Sequence, residues 1–155
     1  MIPIFLGVTG HRSISRSSIA SARISVRQEL DWLHQRYPFT QIIVLSALAE
    51  GADRLVAEIA LDCNCEVWAV LPTCADEYLN DFSSGHSKNE FTRLLGKCSR
   101  IINASVFAGY GEGFNERPKM YEHLADQLCQ MSHILMALWD GDPRSEEHTS
   151  ELQSH

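Results

Sequence analysis

Five short apolar runs, set apart by stretches of helical periodicity, constrain the fold of this sequence more than any other feature. They are IFLGV at 4–8, QIIVLSAL at 41–48, EVWAVLP at 66–72, RIINASV at 100–106 and HILMALW at 133–139. Each is continuous rather than alternating and includes β-branched or aromatic residues, the pattern of strands buried on both faces. After Ile19, the apolar residues Ala22, Val26, Leu30 and Leu33 recur at three- and four-residue steps up to Tyr37-Pro38, where proline stops a helix. A second helix is expected from Ala52, with Leu55, Val56, Ile59 and Ala60 on one stripe. Another is expected from Pro118, a residue suited to a first turn, carrying Tyr121, Leu124, Leu128 and Met131. Shorter helices are expected around ADEYLNDF and NEFTRLLGKC. Strands alternating with helices need crossover connections, so the expected class is α/β: a Rossmann-like three-layer sandwich on a mostly parallel sheet of about five strands.

With 155 residues, 45% of them hydrophobic and 21% charged, the chain has the material for one core. A single domain over residues 1–143 is expected, with no internal repeat or linker. The net charge of −7 argues against a sequence-independent grip on nucleic acid, which draws its affinity from many Lys and Arg on phosphates. On that ground no nucleic-acid partner is expected. Neither a signal peptide nor an apolar run of ~18 residues is present, so a cytoplasmic protein without a membrane segment is expected. The five cysteines, Cys63, Cys65, Cys74, Cys98 and Cys129, lack C-x-x-C spacing and read as free thiols. The seven histidines show no i, i+4 pair, so no metal site is expected.

The last twelve residues, RSEEHTSELQSH, break with what precedes them. They are dense in Ser and Glu with Leu152 as the one apolar anchor, a solvated or disordered composition. The string resembles a translated sequencing-adapter oligonucleotide. Residues 144–155 are accordingly set outside the fold, and the natural frame is expected to have been cut near Pro143, leaving a C-terminally incomplete domain. Leaving out the arginine and three glutamates of this tail keeps the charge balance acidic.

Ligands of open parallel sheets lie beyond the carboxyl ends of the strands, where loops and helix N-termini deliver N–H groups. GVTGHR, residues 7–12, is expected at such an end. Gly7 and Gly10 would let the chain turn and an anion approach, Thr9 offers a hydroxyl and Arg12 a bidentate fork for phosphate. The competing reading is a tight turn alone, with His11 satisfying a carbonyl rather than touching a ligand. SALAEGAD, residues 46–53, ends the second strand with the small residues Ser46, Ala47 and Gly51 ahead of a helix. There Asp53 suits a ribose hydroxyl or, equally, an N-cap, and Glu50 reads as solvated. Pro72 closes the third strand, and Tyr78 beyond it could stack on a base or pack with Phe82 into the core. GYGEGF, residues 109–114, reads as a glycine loop, and Asp140 with Gly141 would face the same crevice from the last strand.

Taken together and in this order, GVTGHR, SALAEGADRLVAEIAL, VWAVLPTCADEYLNDF and ILMALWDG resemble the SLOG superfamily, in particular its branch beginning G-[IV]-T-G-H-R. The superfamily includes the DNA-processing protein and the cytokinin-activating enzymes. The resemblance spans nearly all of residues 1–141. It implies a nucleotide-binding module, often a sensor of ADP-ribose-like ligands in bacterial signalling or defence, with loops at Gly7, Thr9, Gly10, Arg12, Ser46, Gly51 and Asp53. The expectation is therefore a phosphorylated small molecule bound without chemistry and with no further cofactor. Hydrolysis of the N-glycosidic bond of nucleoside monophosphates is the alternative, although the P-G-G-x-G-T-x-x-E motif of the enzymatic branch is absent. DNA binding, as in the DNA-processing relatives, is the remote alternative. A homo-oligomer and an effector module encoded beyond Pro143 are left open.

Overall fold

A computed structural model describes residues 2–111 and 113–138. Five parallel strands form one sheet in the order β4-β3-β2-β1-β5. The strands are β1 (Ile4–Gly10), β2 (Ile42–Ser46), β3 (Glu66–Leu71), β4 (Arg100–Asn103) and β5 (Ile134–Leu138). The long connecting helices are α1 (Arg16–Arg36), α2 (Ala52–Asp62), α4 (Gly85–Leu95) and α6 (Arg117–Met131). Shorter pieces are α3 (Ala75–Tyr78), continued by a 3₁₀ turn at Leu79–Asp81, and α5 (Ala104–Phe107). This is the expected Rossmann-like sandwich.

The period of two along each strand sorts side chains into two cores. Leu6, Val8, Ile42, Val44, Val67, Ala69 and Leu71 pack with Val26, Leu30 and Leu33 of α1, Val56 and Ile59 of α2, and Phe91 of α4. Ile43, Leu45, Ala47 and Val70 point the other way, onto Leu124 and Leu128 of α6. Successive helices thus cover one face while the chain steps outward from β1 to β4. The α6 helix then crosses back over the opposite face and sets β5 on the other side of β1.

Two expectations change in detail. RIINASV is strand only to Asn103, whose side chain caps α5 by accepting from the N–H groups of Ser105 and Val106. The last run is a strand but not one buried on both faces: among the described residues β5 is one edge of the sheet, as β4 with its 52% exposed Ile101 is the other, and Ile134 and Leu135 are 38% and 48% exposed. Its residues read as a buried strand because a continuous apolar run does not reveal whether a second neighbour arrives.

Candidate functional site: a cleft at the strand ends

The tips of β1 and β2 lock into one another. The Ala52 N–H, first in α2, donates to the His11 carbonyl at 3.0 Å, and the His11 N–H donates to the Leu138 carbonyl at 3.3 Å. Gly51 has φ +87°, a conformation L side chains rarely adopt, and a Cβ there would lie 2.3 Å from the His11 oxygen. A Cβ on Gly10 would meet that of Ala52 at 2.5 Å. These glycines therefore allow two loops to touch. Gly7 lies inside β1, opposite Leu45 and Leu135, where a Cβ would overlap Ser132 at the end of α6. It seats a helix against the sheet and does not open the loop.

The SALAEGAD loop is held from within. Ser46 is fully buried; its hydroxyl donates to the Asp53 carbonyl at 3.1 Å and accepts from the Leu48 N–H at 3.1 Å. Leu48 has φ +53°, and its carbonyl accepts from Arg54 Nε at 2.9 Å, so both neighbouring peptides are tied down. Arg54 is buried over the face of Phe82 and pairs with Glu90 at 3.1 Å. Glu50, expected in solvent, accepts a 2.9 Å bond from the Ser87 hydroxyl, which also receives Arg54 Nη1.

Beside this lock, on the α6 face of the sheet, is a cleft of about 280 Å³. Val8, Ala47, Leu124, Leu128 and Leu135 contribute apolar lining, while Thr9, Arg12, Asp53, Tyr78 and Tyr121 bring polar groups. It adjoins β1, the strand from which the chain runs outward in both directions, where ligand crevices of such sheets form. Asp53 is 9% exposed, and burial pushes its carboxyl up to about 7 against the pull of the Ala49 N–H, Arg12 and Arg54. It does not cap α2: Gly51 is the N-cap, and the carboxylate turns back to accept from the Ala49 N–H at 3.3 Å. Arg12 has no carboxylate within ion-pair distance among the described residues and donates to the Tyr121 hydroxyl at 3.3 Å. Tyr121 in turn donates to Asp81 at 2.5 Å, and Asp81 pairs with Arg117 at 3.0 Å.

Tyr78 packs into the core, as one of its two sequence readings has it. Its ring is buried against Phe82, with centroids 5.0 Å apart, yet it lines the cleft, and among the described residues its hydroxyl has no hydrogen-bond partner. The structure thus brings Thr9, Gly10, Arg12, Ala47, Asp53 and Tyr78 to one cleft and leaves Gly7 and Glu50 outside its walls. His11 and Gly51 form the lock, and Pro72 accepts from the Ser105 hydroxyl at 2.8 Å. Asp140 and Gly141 fall outside the described residues. Sequence reasoning missed Tyr121, Cys129 and Leu135 as lining; Tyr121 was legible as part of an α6 stripe, but nothing local showed that the stripe overhangs β1.

No family model matches the sequence, and no curated protein matches it at a significant level. Solved structures do. DNA processing protein A from Streptococcus pneumoniae is 16% identical with a TM-score of 0.58, the match covering 87% of this chain and 41% of that one. DNA processing protein A from Helicobacter pylori, solved for its single-stranded DNA binding mode, is 15% identical with a TM-score of 0.59, covering 92% and 57%. The chain therefore spans about half the length of these structures.

This finding overturns two expectations, that the chain is a sensor of a free ADP-ribose-like nucleotide and that it takes no nucleic acid. The error was to read a local property from a global sum. A net charge of −7 describes the whole chain, while a phosphate responds to charges within a screening length of about 8 Å. Among the described residues Arg12 forms no ion pair, whatever the net charge of the chain. At this level of identity, what the chain has in common with the two DNA processing proteins is their Rossmann-like fold.

Proposed function

We propose that this domain binds single-stranded DNA at the β1–β2 strand ends, with a phosphate on Arg12 and an unstacked base in the adjoining cleft. The observation that carries the reading is a guanidinium with no ion pair among the described residues, lining a partly apolar cleft that is also lined by Tyr78, whose buried hydroxyl has no hydrogen-bond partner among those residues. A cleft of about 280 Å³ lies just under the range of about 300–1,000 Å³ that takes drug-sized ligands, so it suits one nucleotide unit rather than an extended dinucleotide. Single strands offer such units, because their bases splay out and stack or hydrogen-bond individually. Duplex DNA keeps its bases stacked inside, where a cleft of this size cannot receive one. The fold shared with the DNA processing proteins supports the reading, and so does the one described as binding single-stranded DNA. Placement in the G-[IV]-T-G-H-R branch of the SLOG superfamily is part of this proposal, supported by the four motifs in order.

Fluorescence anisotropy with a labelled thymidine oligonucleotide tests it. Arg12→Ala is expected to weaken binding by about 2 kcal/mol, in the range of a charge-assisted hydrogen bond, and to flatten the dependence of log K on log salt. Equal affinity for duplex and single strand, or an unchanged Arg12→Ala protein, refutes the reading.

A further inference from the structure

The interlocked loops separate two clefts, and Arg12 lines both. The second, of about 340 Å³, lies between the N-terminal half of α1 and the start of α2; Arg23 and Arg54 join Arg12 in its wall, opposite Glu58 and Glu90. Three guanidiniums thus face two carboxylates. Glu58 is shared: it accepts from Arg93 and lies 3.9 Å from Arg23, so Arg23 is loosely held and half exposed. Arg54 is the reverse case. Its side chain is 5% exposed, Nε and Nη1 are bonded to Leu48, Ser87 and Glu90, and Nη2 has no partner among the described residues. A buried donor left unsatisfied in the wall of a cleft is a standing demand for an acceptor.

We infer that this second cleft is a further phosphate site, taking the next phosphate of a strand whose neighbouring nucleotide occupies the first cleft. The strand then crosses the ridge formed by Arg12 and Gly51, with Arg12 contacting the backbone from the middle and Arg23 closing on the far side. Planar guanidinium forks suit phosphate oxygens, and Glu58 can release Arg23 because it keeps Arg93. The inference rests on the single-stranded DNA reading of the first cleft and adds a direction for the strand.

The test is a salt titration of a fluorescein-labelled thymidine oligonucleotide longer than ~16 nucleotides, the upper site size of one compact single-strand-binding domain. It compares the full chain with Arg23→Ala, Arg23→Gln and Arg36→Ala. Arg36, at the far end of α1, removes the same charge away from both clefts. Both Arg23 variants are expected to lose affinity several-fold and to reduce the salt slope by about 0.7, one single-strand phosphate contact. Arg36→Ala is expected to change neither. If the parent binds while the Arg23 variants keep its affinity and slope, the second site is refuted and the first cleft stands. If the parent binds no oligonucleotide, both fall.

Discussion

Asp53 departs in its chemistry from what its type prescribes. The unfolded chain releases its proton near the ordinary carboxylate value of 3.8, whereas burial lets the native carboxyl keep it to about pH 7. Between those values the native state binds more protons, so this residue's contribution to stability is complete below about 3.8 and is lost as the pH rises through 7. Asp53→Asn keeps an acceptor for the Ala49 N–H and removes the titration. In urea titrations at pH 5 and pH 8, its stability relative to the parent is expected to rise by about 2–3 kcal/mol over that interval, at ~1.4 kcal/mol per pH unit. Parallel curves for the two proteins would mean that Asp53 ionises normally in the fold.

At the scale of elements, the β1 tip and the α2 start behave as one unit because Gly51 admits the His11 carbonyl where any side chain would stand. Gly51→Ala meets both an unfavourable φ and a backbone contact at 2.3 Å, which no rotamer relieves. A loss of roughly 3 kcal/mol or more in chemical denaturation is expected from strain of this kind. A change within 0.5 kcal/mol, the usual scale of a surface substitution, would show that the loops part freely. The same unit shows what the sequence made legible. All five strands and the helices α1, α2 and α6 could be read, because apolar periodicity is a local property recorded in consecutive residues, while α4 read only as a shorter helix around residues 89–98. GVTGHR and SALAEGAD could be placed at strand ends for the same reason. What Gly7 and Gly10 do could not be read, since their purposes are Ser132, Ala52 and Leu138, two of them more than a hundred residues away. Arg54 was hidden likewise: its partners Phe82, Ser87 and Glu90 come from a different connection of the fold.

Across the whole molecule, protection from water is uneven, and the site straddles the boundary. Every residue of β2 is buried between two strands and two helical layers. The β5 strand pairs with β1 on one side, and among the described residues its other edge has no strand partner. Yet β5 supplies Leu135 to the first cleft and the Leu138 carbonyl that holds His11, so the least covered strand braces the proposed ligand loop. Amide hydrogen exchange is expected to show the gradient: β2 amides exchanging only with global unfolding, β5 amides through smaller openings several kcal/mol less costly. An oligonucleotide seated in the cleft binds the closed form alone, and at about a hundredfold over its dissociation constant it adds ~2.7 kcal/mol to that form. Protection should therefore rise in β5 and at the β1 tip under native conditions, while amides that already wait for global unfolding gain only the global increment. If β5 is as protected as β2 without ligand, or gains nothing on saturation, the bracing role of the edge strand is refuted and the loop must be held by the α2 contact alone.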